Sequence, residues 1–227
     1  MKTIYTVITV SLLLFFTSCG QDEQPIVGQG YLSLMGIEVQ AVEIEVVTTR
    51  AVDEDFTIEV YKEGETTATT SLTYTAAQTA GSKIALEAGS YYLKVYNAAY
   101  GSSDYSKPVY FYQSEAFTIE ADWVTYVDAV VPMINFGVRF SLPENFDNFF
   151  TSYTLTVTDD TGRSVSLTDE NTVAYFSNAA TSFSYTLVAT NTDGEQCQKA
   201  GNTSVATVDG TVYKVVFEYA TQSLYVR

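Results

Sequence analysis

Histidine is absent from this 227-residue chain. That removes the commonest general base, the usual zinc ligand and every serine or cysteine triad built on an imidazole. Positive charge is scarce as well, with 11 Lys and Arg against 27 Asp and Glu and a formal net charge of −16. Such a surface repels phosphate backbones, so nucleic acid is excluded as a partner, since its binding relies on Lys and Arg displacing counterions. No Ser-x-x-Lys pair and no Gly-rich phosphate loop occurs, which leaves carboxylates as the only route to catalysis. Acidic residues are too many for one pair to stand out. The expectation is a protein that is not an enzyme and that needs no cofactor.

Cysteine occurs twice, at Cys19 and Cys197. The first ends the most informative stretch of the chain: Lys2, an apolar run over residues 4–16, then Thr17, Ser18 and Cys19. A run of that length is too short to cross a bilayer, which takes about 20 residues, but it suits the hydrophobic region of a secretory signal. Ser18 directly before Cys19, with Phe16 three places before the cysteine, resembles a bacterial lipobox. Residues 1–18 then read as a signal peptide and Cys19 as the lipidated N-terminus of the mature chain. The alternative is an ordinary signal peptide with an incidental cysteine. With Cys19 acylated, Cys197 stands alone in a polar stretch and no intrachain disulfide forms.

What is abundant is strand-forming: 18 Tyr, 13 Phe and many Val and Thr. After a polar tether over residues 19–29, short alternating segments follow one another to the C-terminus. Phe56, Ile58 and Val60 alternate with Thr57 and Glu59, and Leu93 and Val95 alternate with Tyr92, Lys94 and Tyr96, each predicting a strand with one buried face. Residues 109–119 read as one strand. The single candidate helical turn lies at 143–150, with Pro143 in first position, and Asp159-Asp160-Thr161-Gly162-Arg163 signals a hairpin. Residues 56–60 line up with 153–157, and 90–97 with 184–191, in the same order and at similar spacing. The fold expected is all-β, two tandem antiparallel β-sandwiches of the immunoglobulin or transthyretin kind, over residues 30–132 and 133–227.

Candidate sites are few. Asp53-Glu54-Asp55 and Asp159-Asp160 read as solvated turns. Asn191-Thr192-Asp193-Gly194 mimics part of a calcium loop, but it lacks an acid at the first ligand position, where Ala189 stands, and no metal is expected. Tyr100, Tyr105, Tyr110 and Tyr112 crowd one loop and its flanks, and Trp123 stands at a strand junction. These aromatics are candidates to stack on sugar rings or to anchor a protein partner; packing within the sheets is the alternative. Arg50-Ala51, at the foot of an early strand and before an acidic break, is a candidate cut for an arginine-specific protease. A cut there would free the segment before it and expose strand edges that another subunit's strand can fill.

Taken together, Cys19, the Gln21-Asp22-Glu23 after it, Thr49-Arg50-Ala51, the motif Leu86-Glu87-Ala88-Gly89-Ser90-Tyr91 and the run Val130-Val131-Pro132-Met133-Ile134-Asn135-Phe136-Gly137-Val138 resemble a family of Bacteroidales cell-surface lipoproteins of unknown function. More distantly the chain is similar to the fimbrillin superfamily. That resemblance implies two transthyretin-like sandwiches, export as a lipoprotein, loss of an N-terminal strand by cleavage after arginine, and polymerisation by donor-strand exchange. By the same resemblance Cys19 is the lipidation site, the acidic residues after it a surface-export signal, and Arg50-Ala51 the processing site. The function expected is a non-catalytic, lipid-anchored outer-membrane protein, adhesin-like or a fimbrial pilin, tip or accessory component. Its partners would be other fimbrial subunits or a host protein or glycan. A surface lipoprotein that captures glycan through exposed aromatics is the competing class.

Overall fold

The structure is a computed structural model and describes residues 28–43, 46–51, 56–75, 83–103, 105–203, 205–218 and 223–226. Residues 1–18, read above as a signal peptide, Cys19 and Asp53-Glu54-Asp55, read as a solvated turn, lie outside the described residues. In the first half the strands are β1 (Gln29–Glu43), β2 (Val46–Ala51), β3 (Phe56–Lys62), β4 (Thr70–Thr73), β5 (Lys83–Glu87), β6 (Gly89–Asn97), β7 (Phe111–Gln113), β8 (Phe117–Ile119) and β9 (Val124–Pro132). In the second they are β10 (Phe136–Ser141), β11 (Phe150–Asp159), β12 (Ser164–Leu167), β13 (Ala174–Phe176), β14 (Phe183–Asn191), β15 (Gln196–Asn202), β16 (Thr211–Glu218) and β17 (Ser223–Val226). Among the described residues one 3-10 turn, Phe146–Asn148, falls inside the stretch expected to be helical. The protein is all-β and its sheets pack as sandwiches.

Alternation works as chain geometry demands. In β3, Phe56, Ile58 and Val60 are fully buried while Thr57 and Glu59 are half-buried, because successive side chains of a strand point to opposite faces. Tyr91, Leu93 and Val95 of β6 are buried in the same way and carry Tyr92, Lys94 and Tyr96 on the other face. The two segments matched between the halves occupy matching places. β3 pairs antiparallel with β6 in the sheet β4-β3-β6-β7, whose β6 also pairs with β8, and β11 pairs antiparallel with β14 in the sheet β12-β11-β14-β15. The two registers differ by an even number of residues: Ile58 faces Val95, whereas Leu155 faces Leu187. An even shift keeps every side chain on its own face.

Opposite these two sheets stands a third, and it departs from the antiparallel pairing expected. β1 pairs antiparallel with β5 through Gln29 to Ser33 and with β2 through Glu38 to Glu43, but it pairs parallel with β9 from Tyr31↔Val124 to Gln40↔Pro132. Where β9 ends, β16 takes over beside β1, parallel at Val42↔Thr211 and Glu43↔Val212. β10 lies parallel on the far side of β16, and β17 lies antiparallel beside β16 in line with β1. The parallel pairs arise because β1 and β16 both run in the same direction as the β9–β10 segment they sit beside. One eight-stranded sheet therefore passes through both halves of the molecule.

The cores follow the sheets. The second sandwich has one cluster built on Phe136, Phe176, Phe183, Leu155, Leu187 and Val215, in which Phe136 stacks on Phe176 at 5.4 Å. The first has two: Phe56, Ile58, Leu93, Val95 and Val131 in one, Leu32, Val60, Leu86, Tyr91 and Ile119 in the other. Val212 of β16 packs into the first of these. The single strand expected over 109–119 is broken, since buried Ser114 turns inward there, its hydroxyl accepting the Leu93 N–H at 3.0 Å and donating to the Glu115 carbonyl at 2.8 Å.

Candidate functional site

The loop over residues 97–110 leaves β6 at its Asn97 end and is held by two buried asparagines. Asn97 donates from Nδ2 to the Pro108 carbonyl at 2.9 Å and accepts the Tyr110 N–H on Oδ1 at 3.0 Å. Asn135, on the step from β9 to β10, accepts the Val109 N–H at 2.9 Å and donates to the Lys107 carbonyl at 3.2 Å. Both ends of each carboxamide are used, as burial requires. The loop turns at Gly101, whose φ of +78° favours glycine. Just before that turn, Tyr100 stacks on Phe111 with ring centroids 4.4 Å apart, and the Tyr96 ring lies 5.3 Å from that of Tyr100.

Against the held loop is a cavity of about 430 Å³ lined by Tyr100, Tyr105, Val109, Ile134, Asn135 and Asn178. Asn178 comes from the second half, so the cavity sits at the waist. Its aromatic rings and amide and hydroxyl groups are the mixture that binds the flat apolar face and polar rim of a sugar. This is the candidate site. Of the aromatics singled out by sequence, it gathers Tyr100 and Tyr105. Tyr110 is core, 8% exposed and 5.9 Å from Phe56, and Tyr112 is half-buried against the same cluster. Trp123 is 68% exposed, but it belongs to the β8–β9 turn at the opposite end of β6. The five aromatics do not form one platform.

Sequence reasoning misses a second cavity, also of about 430 Å³, at the far end of the second sandwich. Phe146, Phe149, Phe150, Leu187, Ala189 and Phe217 line it together with Asp193, Glu195, Cys197 and Lys199. Cys197 pairs across from Ala189 and Lys199 from Leu187, so both point to the core side of β15 and yet are exposed at its edge. The Asn191 to Gly194 turn uses its own amide: Asn191 Oδ1 accepts the N–H groups of Asp193 and Glu195, and Nδ2 donates to Glu195. Among the described residues no group of three or more acids and cysteines gathers to hold a metal.

The outer face of the first sandwich carries the largest electrostatic perturbation. Tyr61 donates its hydroxyl to Glu59 at 2.7 Å, and that bond, followed by burial, holds its pKa up at about 12. Lys94 lies 4.6 Å over the Tyr61 ring, which stacks on Tyr92 at 5.1 Å. In the second sandwich, Asp160 accepts the Thr181 hydroxyl at 2.6 Å, and this lowers its pKa below the ordinary carboxylate value. Neither Tyr61 nor Asp160 lines either cavity. Arg50 and Ala51 end β2, paired with Val39 and Glu38 of β1.

Residues 28–224 match the family described as a domain of unknown function, DUF4493. The chain belongs to that family. No curated protein matches it. Among solved structures it is similar to a candidate cell adhesion protein of Bacteroides uniformis, with 12% identity and a TM-score of 0.51, covering 88% of this chain and 96% of that one. A candidate cell adhesion protein of Bacteroides ovatus is 13% identical with a TM-score of 0.46, over 87% and 95% of the two chains. The fimbrial anchor protein Mfa2 of Porphyromonas gingivalis is 9% identical with a TM-score of 0.38, over 86% and 95%. The Bacteroides uniformis likeness extends the two-layered fold of this DUF4493 chain over nearly the whole of a second protein. Among the described residues no helix is long and apolar enough to cross a membrane.

Proposed function

We propose that this protein is a lipid-anchored, non-catalytic component of the cell surface, adhesin-like or fimbrial, held to the outer membrane through Cys19. The observation that carries the reading is the position of β1. It is a central strand of the sheet, flanked on both sides by hydrogen-bonded neighbours, and it is supplied by the N-terminal segment that precedes Arg50-Ala51. A cut after Arg50 makes that strand removable, and its departure leaves β5 and β9 with open edges able to accept a strand from another subunit. The cell-adhesion description of the Bacteroides uniformis protein points the same way. The domain boundaries proposed are residues 30–132 and 133–227, with β1 shared between them. The test is digestion of the purified protein with an arginine-specific protease followed by electrophoresis without heating. Ladders of discrete multimers are expected, and a chain cut at Arg50-Ala51 that stays monomeric overturns the polymerising form.

The waist cavity favours a second reading, capture of glycan through Tyr100 and Tyr105. Retarded migration in polysaccharide-containing gels, lost in Tyr100→Ala with Tyr105→Ala, is the expected result. Unchanged migration of the wild-type protein across a panel of surface polysaccharides overturns it.

A further inference from the structure

Trp123 is the only tryptophan of the chain, and it stands 68% exposed at the end of the first sandwich where β1 and β9 both begin. Beside it the outer face of the sheet carries further exposed rings among charged residues. Leu32 is fully buried, so alternation turns Tyr31 outward, 39% exposed. Tyr126, 62% exposed, pairs with Ser33 on that same face, and Val130, 43% exposed, follows on β9. Large rings left in water this way mark a surface that meets something. The chain enters the fold at the same end. The Asp122 N–H donates to the Gln29 carbonyl at 2.8 Å and the Tyr31 N–H to the Trp123 carbonyl at 2.9 Å. Gly28 is so close to Ala121 that a Cβ on it would come within 2.5 Å of the Ala121 methyl.

Nine residues lead from Cys19 to Gly28, and even fully extended they reach about 30 Å. A lipid on Cys19 therefore keeps this end of the fold within about 30 Å of the bilayer. We propose that the Trp123 end of the first sandwich seats on the lipid surface, with Trp123, Tyr126 and Tyr31 entering the headgroup layer. The proposal rests on the lipid anchoring argued above. Indole and phenol rings suit that layer because one part is apolar and the other hydrogen-bonds to water. A tether of this length keeps the aromatics at high effective concentration over the membrane, so contacts too weak to bind alone become occupied. Glu87, Glu120, Asp122 and Asp128 are exposed around the rings, with Lys83, paired with Ser33, as a counter-charge among them, so the net negative surface fits zwitterionic headgroups and is repelled by anionic ones.

Because Trp123 is alone, its fluorescence reports on this end directly. The chain from residue 19 onward, carrying Cys197→Ser, is coupled through the Cys19 thiol to a maleimide lipid in phosphatidylcholine vesicles containing brominated acyl chains. Blue-shifted emission quenched by about twofold is expected, as for an indole at the interface, with less quenching in vesicles rich in phosphatidylglycerol and in a Tyr31→Ser, Tyr126→Ser variant. Unshifted, unquenched emission from the tethered protein overturns the proposal. So does a blue shift already present without vesicles, whether it is independent of protein concentration, meaning that the chain covers its own rings, or grows with concentration, meaning that a second copy does. Mass spectrometry of Cys19 from native membranes checks the anchoring separately: an unmodified Cys19 sinks the anchor whatever the coupled protein does.

Discussion

Apart from the end of β1, which touches β16 over two residue pairs, the strands of the second sandwich lie in one continuous stretch, from β10 to β17, and its buried aromatics form one cluster. The first sandwich takes a central strand from the beginning of the chain, and its core is divided into two clusters, one of which includes Leu32 of that strand. Both have a smaller sheet with four strands in the same order, to which the first adds β8 beside β6. The difference lies in who owns the opposing layer. The second half completes itself, whereas the first is complete only while the N-terminal segment stays in place.

Removing β1 should break the symmetry most. A chain beginning at Ala51 is expected to lose hydrogen-exchange protection throughout β3, β5, β6 and β9 while β11 and β14 keep theirs, and equal loss in both halves would contradict the ownership argument. Next in size are core truncations. Phe136→Ala should cost about 3–5 kcal/mol and Leu32→Ala about 2–5 kcal/mol in denaturant unfolding, with the first felt by amides of the second sandwich and the second by amides beside β1. Smaller still is the waist: Asn135→Ala leaves the Val109 N–H and Lys107 carbonyl without their buried partner, at about 1–3 kcal/mol. Faster hydrogen exchange of the Val109 and Tyr110 amides, the two that the buried asparagines hold, would register it.

The smallest effect separates the halves by pH. The Tyr61 proton is held by Glu59 in the folded state, so its contribution is fully present below the ordinary tyrosine value of 10.0 and is lost as pH rises toward about 12. The lowered Asp160 works in the opposite sense: its contribution is present above the ordinary carboxylate value and is lost as pH falls through the folded one. The stability advantage of the wild type over Tyr61→Phe should therefore shrink as pH rises from 10.0 toward about 12, and its advantage over Asp160→Asn should shrink as pH falls through the carboxylate range. Identical pH profiles for variant and parent would remove these contacts from the comparison.

Much of this was legible in the sequence, because β3, β6, β11 and β14 each have one face on a core and so alternate cleanly. The strands that escaped are those whose surroundings erase alternation. β15, Gln196–Asn202, is exposed along nearly its whole length, so its composition reads as a polar loop. The direction of pairing was also hidden: Tyr31 beside Val124 is a parallel contact across some ninety residues, and no local pattern records it. The aromatic cluster was half legible, since Tyr100 and Tyr105 are neighbours in the waist loop, but the inward turn of Tyr110 depends on Asn97 and Asn135 fixing the loop from outside. The far cavity draws on residues near 146, 190 and 217, which only folding brings together.

The shared strand also bears on how the molecule carries load. A protein held at its N-terminus and pulled from its far end transmits force along β1, and β1 lies lengthwise between β5 and β9 before meeting β16. Hydrogen bonds on both sides of such a strand run across the direction of pull, so they must slip together instead of opening one after another like a zipper. The arrangement that makes the first sandwich dependent on its leading segment also makes that segment the hardest one to drag out by its end.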